Sequence, residues 1–243
     1  MRDYQAEYEG RVAFIRELVR SAGASGIVYG NSGGKDSALV GILCKAACDN
    51  TVGIIMPCAS KRNYGQDTDD GIAVAEQFGI ETRTVDLTAV REREMEELQK
   101  VCALNSAAIN NIAPRLRMTT LYAVGAAENR LVAGTGNRSE IHMGYFTKWG
   151  DGAYDLDPIA DLTATEVFEF LRYLEAPEAV ITKAPSAGLF EGQTDEGEMG
   201  VTYAALDHYI ATGEATDHDK EIIDRYHARS GHKRRPPLRF GED

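Results

Sequence analysis

Two serines, a lysine and an aspartate crowd one glycine turn in this chain, Gly30-Asn31-Ser32-Gly33-Gly34-Lys35-Asp36-Ser37. Glycine lets a backbone turn sharply and brings bare N–H groups close to a ligand. The turn follows the apolar run Gly26-Ile27-Val28-Tyr29 and opens into Ala38-Leu39-Val40-Gly41-Ile42-Leu43, a strand and then a helix. The first helical amides and the helix dipole therefore join the loop in an anion site, to which Ser32, Lys35 and Ser37 add donors. A Walker A loop would carry Ser or Thr directly after Gly-Lys, and Asp36 stands there instead. A carboxylate beside phosphate is repulsive unless a cation lies between them, so Asp36 points to a divalent metal, Mg²⁺. An ordinary strand-to-helix turn is the bland alternative, and so many polar side chains argue against it.

A second polar cluster, Thr135-Gly136-Asn137-Arg138-Ser139-Glu140, follows the apolar run Leu131-Val132-Ala133. Both clusters then stand at the carboxyl ends of strands, where open parallel sheets bind ligands. If the two strands are neighbours, Asp36 and Glu140 can share one metal. On spacing alone, a helix N-cap or a surface salt bridge explains Glu140 as well.

The elements that would position these clusters alternate. Helical spacing covers about residues 3–22, strand one 26–30, the loop helix to 47, strand two 52–57, a helix 67–78, strand three 81–87 and strand four 131–135. The charged segment after Thr88 reads as a solvated helix face. A helix is expected from about 113 to 128. Together these predict an α/β fold, a doubly wound, mostly parallel, Rossmann-like sheet flanked by helices. Residues 136–158 lack periodicity and read as an active-site loop, as do 184–200. Thr163-Ala164-Thr165-Glu166 matches a capping box opening a helix. Helices near 195–210 and 217–228 precede a tail at 230–243.

A chain of 243 residues, 43% hydrophobic, can bury one good core, and a single domain over 1–243 is expected. The net charge of −12 repels polyanions and argues against nucleic acid as a partner. Cys44, Cys48, Cys58 and Cys102 form no C-x-x-C pair, which argues against structural zinc. No stretch approaches the ~20 apolar residues that span a bilayer. No membrane association and a reducing, cytoplasmic setting are the expectation.

The octet resembles the S-G-G-x-D-S loop of the PP-loop, or N-type, ATP pyrophosphatases. Residues 134–140, then 144–152, then Pro185-Ser186-Ala187-Gly188-Leu189 with Gly192-Gln193-Thr194-Asp195-Glu196 are similar to the ammonia-dependent NAD⁺ synthetases. The likeness runs in order from about residue 10 to the His232-Lys233 tail. It implies adenylation of the nicotinate carboxylate of deamido-NAD⁺ by ATP with release of pyrophosphate, then displacement of AMP by ammonia. By the same resemblance, Gly30, Ser32, Gly33, Gly34, Lys35, Asp36 and Ser37 hold ATP, with Thr135 and Ser186 as further ATP contacts. Asp36 and Glu140 become metal ligands. Arg115, Lys148, Asp155, His232 and Lys233 become contacts of deamido-NAD⁺. Arg117, two positions from Arg115, cannot share its helical face and reads as structural. Asp151 is either the group that orients or deprotonates ammonium or a turn cap.

A homodimer is likewise implied by the resemblance. Only about 25 residues precede strand one, so ammonia is expected either free or from a separate protein. One position departs from the family, which often has a lysine after Leu162-Thr163 where this chain has Ala164. Lys35 or Lys183 then replaces that charge, or ATP binds more weakly. Rival readings are another PP-loop adenylating enzyme acting on tRNA or a small molecule, and an inactive nucleotide-binding homologue.

Overall fold

Strand β1 (Gly26–Gly30) is buried along almost its whole length, as a central strand of a parallel sheet must be. It pairs in parallel with β2 (Thr51–Ile55) on one side and with β4 (Arg130–Ala133) on the other. β3 (Glu81–Thr84) pairs in parallel with β2, so the sheet runs β3-β2-β1-β4. The chain thus winds outward from β1 to β3, crosses back and adds β4 at the opposite side. The reversal lies between β1 and β4, and the two strands are neighbours as the site argument required. The computed structural model describes residues 2–58, 65–183 and 194–241.

Alternation along β1 divides the core. Ile27 and Tyr29 pack with Leu39, Leu43, Phe170 and Leu171 on one face, while Val28 packs with Val52, Val132 and Ala113 on the other. The first face is covered by α1 (Tyr4–Ser21), α2 (Lys35–Ala47), α3 (Gln66–Phe78), α7 (Ala164–Tyr173) and the short α8 (Glu178–Ile181). The second is covered by α5 (Ser106–Glu128), against which α4 (Thr88–Gln99) lies with none of its residues buried. Phe170 is fully buried, and burial of a side chain this size contributes about 1.5–3 kcal/mol.

A smaller cluster beside the sheet joins α6 (Arg138–Met143), α9 (Asp195–Met199), α10 (Tyr203–Thr212) and α11 (Asp217–Arg229) through Met143, Met199, Leu206 and Ile223. A 3₁₀ turn at Gly231–Lys233 follows α11.

Several boundaries differ from the sequence expectation. α5 starts at Ser106, not near 113, because Asn105 caps it by accepting from Ala108 N at 2.9 Å. Pro114 then lies inside the helix, where it removes one bond without ending the element. The segment expected to be structureless over 136–158 contains α6. The single helix expected over 195–210 is two, because Gly200 adopts φ 78° and closes α9. β4 ends at Ala133, and of the 81–87 alternation the strand proper covers only Glu81–Thr84, although Val85 N and Leu87 N still donate to the Ile55 and Pro57 carbonyls.

Candidate active site

The loop after β1 is shaped by its own polar groups. Ser32 N and Gly34 N donate to Ser37 Oγ and Ser32 Oγ, each at 3.3 Å, and Gly33 N donates to Asn31 Oδ1 at 3.3 Å. Gly33 has φ 69°, and a Cβ there would run into the Asp67 carbonyl. Gly34, the N-cap of α2, offers no side chain to the amides of the first turn. Lys183 fastens this loop to α3, donating to the Gly33 carbonyl at 3.0 Å and pairing with Asp70 at 2.6 Å and Asp67 at 2.7 Å.

Asp36, in the first turn of α2, receives the Lys35 ammonium on Oδ2 at 2.5 Å and the Asn137 amide on Oδ1 at 3.0 Å. Asn137 comes from the turn between β4 and α6, so this bond closes the gap between the two strand ends. Asn137 also caps α6 in a capping box: Glu140 N donates to Asn137 Oδ1 at 3.0 Å, and Asn137 N donates to Glu140 Oε2 at 3.2 Å. The N-cap reading and the site reading of Glu140 therefore hold together. α6 is fixed from behind by buried Ser139, whose Oγ accepts from Ala164 N at 3.0 Å and donates to Asp207. Asp207 in turn accepts from Thr165 N at 2.8 Å, so α6, α7 and α10 are pinned to one another.

Charge is unbalanced here. Burial raises the pKa of Glu140 well above the carboxylate range, the facing Asp36 adds to it, and Lys35 and the Asn137 amide only oppose it. Burial alone would lower the Lys35 pKa, but Asp36, Glu140 and Asp195 outweigh it and the net shift is upward. Asp195, buried in the first turn of α9, accepts from the Tyr203 hydroxyl at 3.0 Å. Three carboxylates thus gather around one ammonium, and a further cation fits the surplus charge. Among the described residues no group of three His, Cys, Asp or Glu side chains is arranged to hold a metal by itself. Two carboxylates completed by phosphate and water are the usual Mg²⁺ arrangement.

A cleft of about 1060 Å³ runs from this corner along the strand ends. Gly30, Ser32, Gly34, Lys35, Asp36, Ser37, Thr135, Glu140, Asp151, His232 and Lys233 all line it. Asp151 accepts from Thr147 N at 3.0 Å; cleft walls crowd it although water reaches it, and loss of bulk solvent raises its pKa. Lys233 donates to the carbonyls of Gly144 and Phe146 at 2.8 and 2.6 Å, tying the tail to the loop. Lys148 donates to the His232 carbonyl at 2.7 Å and lies over the Trp149 ring.

Arg115 is exposed on α5, outside the cleft lining, and among the described residues its side chain reaches only the Lys148 carbonyl, at 3.4 Å. Asp155 also lies outside it, accepting from the Tyr122 hydroxyl and from Val132 N. Arg117, read from sequence as structural, lines the cleft with Nε donating to the Met56 carbonyl at 3.2 Å, and burial lowers its pKa. Arginines two positions apart do lie on different helix faces; the face turned to the cleft is that of Arg117. Ser186 lies outside the described residues.

Sequence reasoning passed over Asp157 and gave no charge role to Asp195. Asp157 accepts from Gly136 N and Ile159 N, yet burial pushes its pKa up to about 7. No spacing singles out Asp157; Thr194-Asp195-Glu196 did carry an acidic helix-start signal.

Residues 7–236 match the NAD synthase family. The chain belongs to that family. A relative in Carboxydothermus hydrogenoformans named NH(3)-dependent NAD(+) synthetase is 48% identical over 97% of each chain. One of the same name from Alkaliphilus metalliredigens is 45% identical over 93% of this chain and 95% of its own. Among solved structures, an NMN synthetase from Francisella tularensis is 35% identical and superposes over the whole of both chains with a TM-score of 0.94. An NH3-dependent NAD synthetase from Campylobacter jejuni is 27% identical, with a TM-score of 0.81 over 99% of this chain and 100% of its own. Family membership accords with the Rossmann-like parallel sheet and with the placement of the glycine loop against α6.

Proposed function

We propose that this chain is an ammonia-dependent ligase that amidates deamido-NAD⁺ with ATP, giving NAD⁺, AMP and pyrophosphate. One observation carries the reading: Asn137, the N-cap of α6, bonds Asp36, at the start of α2, and so sets Glu140 beside a phosphate-binding loop. The first-turn amides of α2, which no cap side chain occupies, join the two serines and Lys35 in holding the β- and γ-phosphates, which leave together. Asp36 and Glu140 hold Mg²⁺, which when bound neutralises charge on the leaving pyrophosphate. The nicotinate oxygen attacks the α-phosphorus; in the second half, ammonia attacks the acyl carbon and AMP departs with the oxygen. Asp151, with its raised proton affinity and its place in the cleft wall, takes the proton that ammonium sheds.

Arg117 and His232 line the substrate end, with Lys148 held beside it on the His232 carbonyl, while Arg115 and Asp155 meet the outer half of the dinucleotide in a homodimer. Light scattering checks the dimer, and the loss in Arg115→Ala checks that contact. Incubation with ATP, Mg²⁺, ammonium and deamido-NAD⁺ should yield NAD⁺, AMP and pyrophosphate; ADP and phosphate would overturn the adenylation scheme.

The full-length likeness to an NMN synthetase favours a second reading, in which the acceptor is the mononucleotide carboxylate. Parallel assays decide between them by kcat/KM, with deamido-NAD⁺ expected to be the better substrate.

A further inference from the structure

We propose that Lys35 is the resident counter-ion of the Asp36–Glu140–Asp195 cluster in the free enzyme and excludes divalent metal until nucleotide phosphate draws it away. The proposal rests on the reading that Asp36 and Glu140 hold the metal. Both oxygens of Asp36 are occupied, Oδ2 by the Lys35 ammonium at 2.5 Å and Oδ1 by Asn137 at 3.0 Å. A metal seeking Oδ2 would sit about 2.1 Å from it, against an ammonium already in contact. Two cations on one oxygen repel strongly in a site where Lys35 is 5% exposed.

Lys35 is also poised to leave. An ammonium has three donors, and among the described residues Lys35 hydrogen-bonds only Asp36. Its remaining surroundings include the rings of Phe168 and Tyr203, at 5.7 and 5.5 Å from Nζ. Ring faces hold a cation weakly compared with phosphate oxygens, which form short charge-assisted bonds. The loop that would receive those phosphates includes Lys35 itself, and its four-carbon stem can turn without moving the backbone. Transfer of the ammonium to phosphate frees Asp36 Oδ2 at the moment a metal–nucleotide complex arrives. Metal binding is thereby coupled to nucleotide.

The test is a Mn²⁺ titration followed by electron paramagnetic resonance, on the wild type, Lys35→Met and Asp36→Asn, with and without a non-hydrolysable ATP analogue. Without nucleotide, Lys35→Met should bind Mn²⁺ about tenfold more tightly than the wild type or better. The gap should narrow once the analogue is present. Equal Mn²⁺ affinities without nucleotide overturn the proposal. Lys35→Gln, which drops the charge but can still hydrogen-bond Asp36, gives the same comparison if Lys35→Met does not fold. The underlying metal reading fails separately, if Asp36→Asn with the analogue binds Mn²⁺ as tightly as the wild type.

Discussion

Gly33→Ala probes the seam between the phosphate loop and α3. Gly33 has φ 69°, a left-handed conformation costing a residue with a Cβ about 1–2 kcal/mol. The added methyl would also be driven into the Asp67 carbonyl, which must retreat until the separation exceeds 3.0 Å. That retreat is on the order of 1 Å, and misplacements of this size cost roughly 10²-fold in rate. It cannot be absorbed locally, because Lys183 binds Asp67, Asp70 and the Gly33 carbonyl together. The expected result is kcat/KM for ATP lower by about 10²-fold and a melting temperature lower by about 2–8 °C. Gly10→Ala is the control: it lies in α1 with nothing within 4 Å of the added Cβ and should stabilise by about 0.5–1 kcal/mol without touching kcat. AMP release and thermal melts give both numbers. A Gly33→Ala enzyme with wild-type KM for ATP and wild-type melting would refute the argument.

Glu140→Gln keeps a side chain able to complete the capping box but can no longer ionise to hold metal, so turnover should fall by about 10²-fold or more while the melting temperature stays within a few degrees. Circular dichroism melts and AMP assays together read that split; equal losses in both would make Glu140 only structural. His142 stacks on His227 at 4.3 Å, and burial, helped by His227, Arg234 and Arg138, lowers its pKa to about 4. A folded pKa below the unfolded value means stability is fully present above pH ~6.5 and is lost as pH falls toward 4. Urea unfolding at stepped pH should show His142→Phe losing less stability than the wild type across that window; parallel curves would count against it. Arg117→Met should raise KM for the nicotinate substrate about tenfold or more with a smaller change in KM for ATP, and unchanged substrate affinity would return Arg117 to a packing role.

The parts of the site legible in the sequence were those whose chemistry is local. The loop at 30–37 declares itself because glycines, hydroxyls and an acid share one turn, and Thr163 and Glu166 form the capping box their spacing predicts, with Glu166 Oε2 accepting from Thr163 N at 2.8 Å. α6 carried the same kind of signal in Asn137 and Glu140, but six residues are too few to show a period. Asp157 and Asp195 gain their importance from burial beside Asp36 and Glu140, which depends on chain segments far apart. The face that Arg117 presents is fixed by how α5 rolls onto the sheet, and Pro114 hid the start of that helix.

The segment after the loop folds back on β4: Asp155 N donates to the Val132 carbonyl, Asp155 Oδ2 accepts from Val132 N, and Gly134 N donates to the Leu156 carbonyl. β4 is an outer strand of the sheet, so these bonds occupy backbone groups that another strand would seek. At the other margin β3 is only four residues long and carries Glu81 and Arg83. Neither margin invites strand addition. Among the described residues, the sheet is thus closed off as a route of self-association, and a second copy would have to pack on some other surface than a strand edge.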